Sequence, residues 1–555
     1  MLPERSTRAP LVVVTTVVLT VGILVMLWPV LTNPIAADDR YWYLNAAGLT
    51  DGSYLGVVTQ HVTNVPQAAD SGRISVAAFI MRSLSMLLVT DLAVWSSTSI
   101  VAGQAILKVV LFLLILLTAL AFLRVLRYRR SDGSLGRLSW RTVGAVVLMM
   151  AALTAAGAQA HHQARNGWTA YAVLTWGAVI VILGSVALIV WLTRLAARRG
   201  GWCTVVGVVL AVLLGLFLNI SYELYYVAVP LVLVAVLQQP LTGRGGATGD
   251  VGVGDEDRLE GEDQTAARAR RAKLWVGGAF AVSFLVTFGA LQVWIADHCS
   301  RNRCYEPAQL ELSSRTLTTA TRNLLSSIPG TSRTELLSDL TDQGMAHQMP
   351  GWMTLTSGLI AVGTAGALLL LVREFGHAAV DLPQRRGETR LLLLAGLVPA
   401  AAALGTALIM ALSGASHDLV PTIGTPYRST MVTWTMLAFT AAMVVAALSL
   451  RRASLLPTVA AGLIVALLAA TSVAANYPAL RASHVAEGHV AVAAVHREVV
   501  LGDPSARGNE RRCDTLREVR ETVTRSVRDR LPAAAESFYQ HYHGGPYCSE
   551  EPSSG

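Results

Sequence analysis

Long apolar runs recur along the chain, separated by short segments that collect arginine at some connections and carboxylates, histidine and tyrosine at others. An uncharged run of about 20 residues, wound as a helix, matches the hydrocarbon thickness of a bilayer. Such runs predict eleven spans, over residues 11–31, 100–123, 142–158, 170–193, 203–219, 222–238, 274–296, 351–372, 390–412, 430–448 and 455–475. The first follows Arg5 and Arg8, as a secretion signal would. It is longer than the usual signal core, so it reads as a retained helix, with cleavage after Ala36 or Ala37 as the alternative.

Arginine sets the expected orientation. Arg124, Arg127, Arg129, Arg130, Arg137 and Arg141 fill one connection, and Arg194, Arg198 and Arg199 another. Arg268, Arg270, Arg271 and Lys273 close a third, Arg373, Arg385, Arg386 and Arg390 a fourth, and Arg451 with Arg452 a fifth. With a cytoplasmic N-terminus all five loops are cytoplasmic. The apolar stretch from Ile74 to Val89 would reverse that order if it crossed, and it carries Arg82 at its middle. An amphipathic helix at the outer interface is the expectation there.

Composition agrees with an all-α polytopic membrane protein: 53% hydrophobic residues, 14% charged and a mean hydropathy of +0.50. The net charge of +8 resides in arginines between apolar runs, where bilayer orientation requires them, so nucleic acid is not an expected partner. Membrane lipids are. Four of the five cysteines fall in segments placed outside, where disulfides persist. Closeness along the chain favours Cys299–Cys304 and Cys513–Cys548 among three formal connectivities. Cys203, alone at a helix entrance, reads as a packing residue.

Two polar regions flank this pattern. Residues 239–273 are rich in glycine and acid without apolar period and read as a disordered cytoplasmic linker; "GRGGATG" there lacks the Lys-Ser/Thr and the strand that a phosphate loop needs. The tail from 476 to 555 carries Leu516, Val519, Val523, Val527 and Leu531 at helical spacing, which predicts an amphipathic helix in a small extracytoplasmic unit.

Sorted by this topology, the outer ends gather chemistry. Asp38, Asp39 and Arg40 follow the first span, and His61, Asp70 and Arg73 share its loop (32–99). His161, His162 and Arg165, then Asn219, Tyr222 and Glu223, then His417, Asp418, Tyr427 and Arg428 occupy later outer connections. Lys108 lies about 12 Å inside the second span, too deep to be without a partner.

An acidic pair directly after the first span, an "SGR" at Ser71 to Arg73 leading into an interfacial helix, "SYELYY" at the outer end of a span and "PYRS" in a short outer loop together resemble the GT-C superfamily of membrane glycosyltransferases. The similarity extends to the serotype-converting O-antigen glucosyltransferases and covers the arrangement of spans 1–475. It implies transfer of a sugar from a polyprenyl-phosphate donor to a cell-envelope glycan or glycolipid outside the membrane. By this resemblance Asp38 or Asp39 is the base that takes the acceptor proton, or one of them binds a divalent cation such as Mg or Mn. Arg428, with Tyr427 and Arg73, meets the donor phosphate. Glu223 and His61 orient hydroxyls, and Arg40 belongs to the substrate-binding set. Lys108 either binds the lipid phosphate or pairs with Glu223.

The bland readings are local. Asp-Asp-Arg also caps a helix end, adjacent histidines point to different faces, and the tail tyrosines Tyr539, Tyr542 and Tyr547 also pack a disulfide-tied cap. The rival functions are a transporter or flippase of lipid-linked sugars, which would show paired repeats and ionisable residues at mid-membrane, a noncatalytic envelope-assembly subunit, and an O-antigen-type polymerase.

Overall fold

The computed structural model describes residues 8–35, 39, 43–44, 53–70, 72, 74–130, 134–160, 166–240, 264, 266–302, 304, 311–333, 338, 351–376, 382–452, 456–485, 487–523 and 528–549. Its helices are α1 (Arg8–Leu31), α2 (Tyr54–Thr63), α3 (Val65–Asp70), α4 (Val76–Trp95), α5 (Ile100–Val125), α6 (Trp140–Ala156), α7 (Ala172–Arg199), α8 (Gly201–Asn219) and α9 (Ala228–Gln238). There follow α10 (Gly278–Arg301), α11 (Ser314–Ser326), α12 (Gly351–Gly376), α13 (Leu382–Ala411), α14 (Gly414–Leu419), α15 (Thr430–Arg452) and α16 (Leu456–Val485). The tail adds α17 (Glu487–Leu501), α18 (Ala506–Thr522) and α19 (Leu531–His543). Among the described residues, the strands are one two-residue antiparallel ladder, Tyr128–Arg129 with Leu135–Gly136.

Nine described helices are long and apolar enough to cross a membrane, and three shorter ones are mainly apolar: Trp140–Ala156, Glu223–Gln238 and Leu355–Leu370. Each of the eleven apolar runs forms a helix, and the remaining long one is α4. Small residues set the close contacts. A Cβ on Gly22 of α1 would meet Thr364 Oγ1 of α12 at 2.1 Å, and one on Gly215 of α8 would meet Ser283 Oγ of α10 at 2.2 Å, the packing expected where helices cannot rely on a hydrophobic drive.

Buried polar residues fasten the bundle. Arg333 is 3% exposed and donates to the carbonyls of Ala156 and Ala158 after α6 and to Leu468 and Thr471 of α16. It satisfies carbonyls that the end of α6 leaves open. At the other end of α6, the buried Glu388 accepts from Ser139 N at 3.0 Å and Thr142 Oγ1 at 2.6 Å.

The path of α4 differs from that of its neighbours. Ala77 N donates to Ile220 O, just past α8; Arg82 stands over Tyr171, just before α7; and a Cβ on Gly103, in the first turn of α5, would meet Val89 O at 2.3 Å. Its start, middle and end therefore touch the same end of three different bundle helices. Met86, Leu87 and Val89 also join a second hydrophobic core with Ile35, Tyr43, Val57 and the tail residues Val492, Val495, Val499, Phe538 and Tyr539. The tail thus packs against the segment that follows α1.

The apolar stripe of the tail runs through two helices. Leu516 and Val519 lie on α18, which stops at Thr522, and Leu531 opens α19, where Pro532 occupies a first-turn position that suits a helix start and not an interior. Val527 lies outside the described residues. Cys299 pairs with Cys304 and Cys513 with Cys548. Gly72, at φ +76°, lies against the first of these, where a Cβ would meet both sulfurs at 2.9 Å.

Candidate active site at the α4 end of the bundle

Asp39 is 3% exposed, and among the described residues Tyr171 and Arg82 hold its carboxylate. Its Oδ2 accepts from Tyr171 N at 2.8 Å, and its Oδ1 stands 3.7 Å from Arg82 Nη2. Tyr171 caps α7 in the left-handed region, at φ +58° and ψ +32°, a conformation that costs a residue with a Cβ roughly 1–2 kcal/mol. Its carbonyl accepts from Leu174 N and Thr175 N, both at 2.9 Å, so both backbone groups hold the turn. Strain kept in place by so many bonds at a polar cluster marks a positioned side chain.

The Tyr171 ring joins two guanidiniums. Arg82 lies 4.7 Å and Arg428 4.6 Å from its centroid, and Arg428 Nη2 is 3.4 Å from the Tyr171 hydroxyl. Gly167 fixes this approach: its N donates to Tyr427 O at 3.2 Å, and a Cβ there would meet Arg428 O at 2.4 Å.

Behind Asp39 lies a closed space of about 10 Å³ bounded by Arg82, Gln104, Lys108 and Tyr171. It is at the lower limit of what one water needs. Lys108 is 1% exposed and donates to Val30 O at 2.7 Å. It therefore shares its cavity with Asp39; among the described residues it makes no ion pair with Glu223.

On the far side of Tyr171, Tyr427, Arg428 and Glu223 line an open cavity of about 260 Å³ between α10 and the end of α13. Phe284, Phe288, Leu291 and Ile295 supply its apolar wall, at helical spacing along one face of α10. The cavity is polar at the arginine and oily along its length. Glu223 makes no ion pair among the described residues.

His61 stands apart from this group. Its Nε2 is 2.9 Å from Ser83 Oγ, its ring is 6.2 Å from that of Phe79, and burial holds the imidazole below its ordinary range. Asn219, within the "NIS" sequon, is buried and spends its amide on Gly215 O and Phe284 O. Of the tail tyrosines, Tyr539 and Tyr547 are buried in the second core and Tyr542 bonds Asp91 of α4.

Asp38, Arg40, Arg73, His161, His162 and Arg165 lie outside the described residues. Among the described residues, no three His, Cys, Asp or Glu side chains stand together as a metal site. Asp39, one of the two carboxylates expected to hold a divalent cation, stands 3.7 Å from a guanidinium.

Sequence reasoning assigned no site role to Tyr171 and treated Arg82 only as an obstacle to crossing. The signal for Arg82 was legible, a charge in the middle of an apolar run. The signal for Tyr171 was not, because its role comes from a left-handed turn and from partners distant along the chain, Asp39, Arg82 and Arg428. No protein-family model matches the chain, and neither a curated protein nor a solved structure matches it.

Proposed function

We propose that the protein transfers a sugar from a polyprenyl-phosphate donor to a cell-envelope glycan or glycolipid at the outer face of the cell membrane. The observation that carries this reading is the 260 Å³ cavity, charged at Arg428 and Glu223 and apolar along α10, with the buried Asp39 cluster joined to it through Tyr171. A lipid phosphate needs such a pairing of guanidinium and hydrocarbon wall.

In this reading Arg428 and Tyr427 bind the donor phosphate and the α10 stripe takes the first isoprene units. Glu223 binds sugar hydroxyls. Asp39 is buried and holds Tyr171 N, so it positions Tyr171 and, through it, Arg428. The base is then Asp38: its carboxylate takes the acceptor hydroxyl proton as the sugar carbon bonds to the acceptor oxygen and releases polyprenyl phosphate as a stable anion.

The accompanying topology has eleven crossings with the N-terminus cytoplasmic. α4 lies along the outer interface, since its whole length meets one end of the bundle. The tail and both disulfides are outside.

Photolabelling with a diazirine-bearing polyprenyl phosphate tests donor binding. Wild type labels on α10 near Phe288, competed by polyprenyl phosphate, and Arg428→Gln labels at least tenfold less. Equal labelling of the two proteins counts against the site.

A further inference from the structure

A second cavity, of about 740 Å³, lies at the opposite end of the bundle and carries five arginines: Arg124 and Arg127 at the end of α5, Arg137 after it, and Arg194 and Arg198 in the last turns of α7. Three have local roles. Arg124 donates to Leu138 O at 2.9 Å and lies 3.8 Å over the Trp140 ring; Arg127 donates to the carbonyls of Arg124 and Leu126; Arg194 donates to Val125 O and to Gln239 Oε1. Cations on the last carbonyls of a helix are favourable.

That leaves Arg137 and Arg198, both exposed, which make no hydrogen bond or ion pair among the described residues. None of the five has a carboxylate within ion-pair range among the described residues, and the buried Nε of Arg194 has no partner there. Five like charges around one space repel unless an anion joins them. The wall is not aqueous: Leu117, 59% exposed, and Trp191, 50% exposed, line the cavity on the outside of the bundle.

We propose that this cavity binds the phosphate headgroup of an anionic phospholipid, with an acyl chain along Leu117 and Trp191. Basic pockets between membrane helices recognise such headgroups. Free phosphate shares the headgroup's charge and lacks the chain that the wall accommodates. The inference stands apart from the transfer reaction.

The test uses the purified full-length protein in neutral detergent, with bound lipid counted by native mass spectrometry during titration with dioleoylphosphatidylglycerol or dioleoylphosphatidylcholine. Inorganic phosphate is the competitor. Wild type binds phosphatidylglycerol saturably and phosphatidylcholine at least tenfold more weakly. Arg137→Gln with Arg198→Gln weakens the anionic lipid roughly 30-fold, about fivefold for each arginine removed. Arg198→Gln alone, at an exposed position, gives a smaller loss in the same direction if the double variant does not fold, and Arg199→Gln, outside the cavity, leaves binding unchanged.

Equal binding of the two lipids, or no change in the arginine variants, overturns the proposal. So does full competition by inorganic phosphate at the lipid's own concentration, which would make the site one for a free anion. Binding that emerges only after the carboxylates of 250–263 are changed to amides would assign the cavity to that acidic segment and overturn it equally.

Discussion

Replacing Asp39 by alanine removes the one carboxylate described in a nearly dry space that also holds Arg82 and Lys108. Breaking a buried ion pair by deleting one partner costs about 3–5 kcal/mol, because the other charge stays desolvated. Here Tyr171 N loses its acceptor as well. A loss of about 4 kcal/mol, divided by an unfolding entropy near 1.2 kcal/mol/K for a chain this long, lowers the melting temperature by roughly 3 °C. The shift is larger if helices persist in the detergent-unfolded state, since less entropy is then released. Arg82→Met should cost less, because Asp39 retains Tyr171 N and the neighbouring Lys108 charge. The double variant should be more stable than Asp39→Ala alone, since no guanidinium is then stranded. Thermal unfolding in one detergent, across the four proteins, measures the coupling. Additivity of the two single effects within about 0.5 kcal/mol would refute the ion pair as the organising contact.

The tail and the turn give further tests. Burial pushes the His496 imidazole, 1% exposed in the second core, down to about 3. Its folded value lies below the ordinary value near 6.5, so stability is complete above about pH 6.5 and is lost as pH falls toward 3, by about 2 kcal/mol at pH 5. His496→Phe should flatten that part of the profile, read by limited proteolysis of the tail against pH, and an unchanged profile would remove His496 as its cause. Cys513 and Cys548, 35 positions apart, restrict the unfolded tail by about 4 kcal/mol in the chain-entropy account, so replacing both by serine should release 487–549 to protease before the bundle melts. Tyr171→Gly relieves the left-handed strain, about 1–2 kcal/mol, but empties the space of a buried ring between two guanidiniums, about 3–5 kcal/mol: stability should fall by about 2 kcal/mol, while sugar transfer falls at least tenfold. Retained transfer would make the ring a packing element.

Each of the eleven apolar runs coincides with a described helix, because a helix in a bilayer needs only its own residues to satisfy its backbone. Both disulfides followed from closeness along the chain. What the pattern withheld was long-range. Arg333 sat in a polar loop with nothing to indicate that its guanidinium closes the end of α6. The packing of the tail on the segment after α1 joins residues more than 400 positions apart. The tail stripe looked like one helix because its spacing continued through Val523, although Pro532 was a visible reason for a new start at Leu531. Glu223, and Tyr427 with Arg428, picked from two separate connections, do line one cavity. Lys108 and His61 face elsewhere, since burial direction on a helix depends on neighbours that spacing alone does not name.

Sugar transfer separates an enzyme from a carrier when membranes of a strain lacking the protein are supplied with radiolabelled polyprenyl-phosphate sugars and complemented with wild type, Asp38→Asn or Asp39→Asn at equal abundance. Wild type should place label in an envelope glycan or glycolipid, Asp38→Asn none above background, and Asp39→Asn should show reduced transfer with lowered thermal stability. Normal transfer by both variants would contradict the proposed site. So would absence of transfer by wild type with every donor while lipid-linked sugars accumulate on the inner leaflet, the result expected of a carrier.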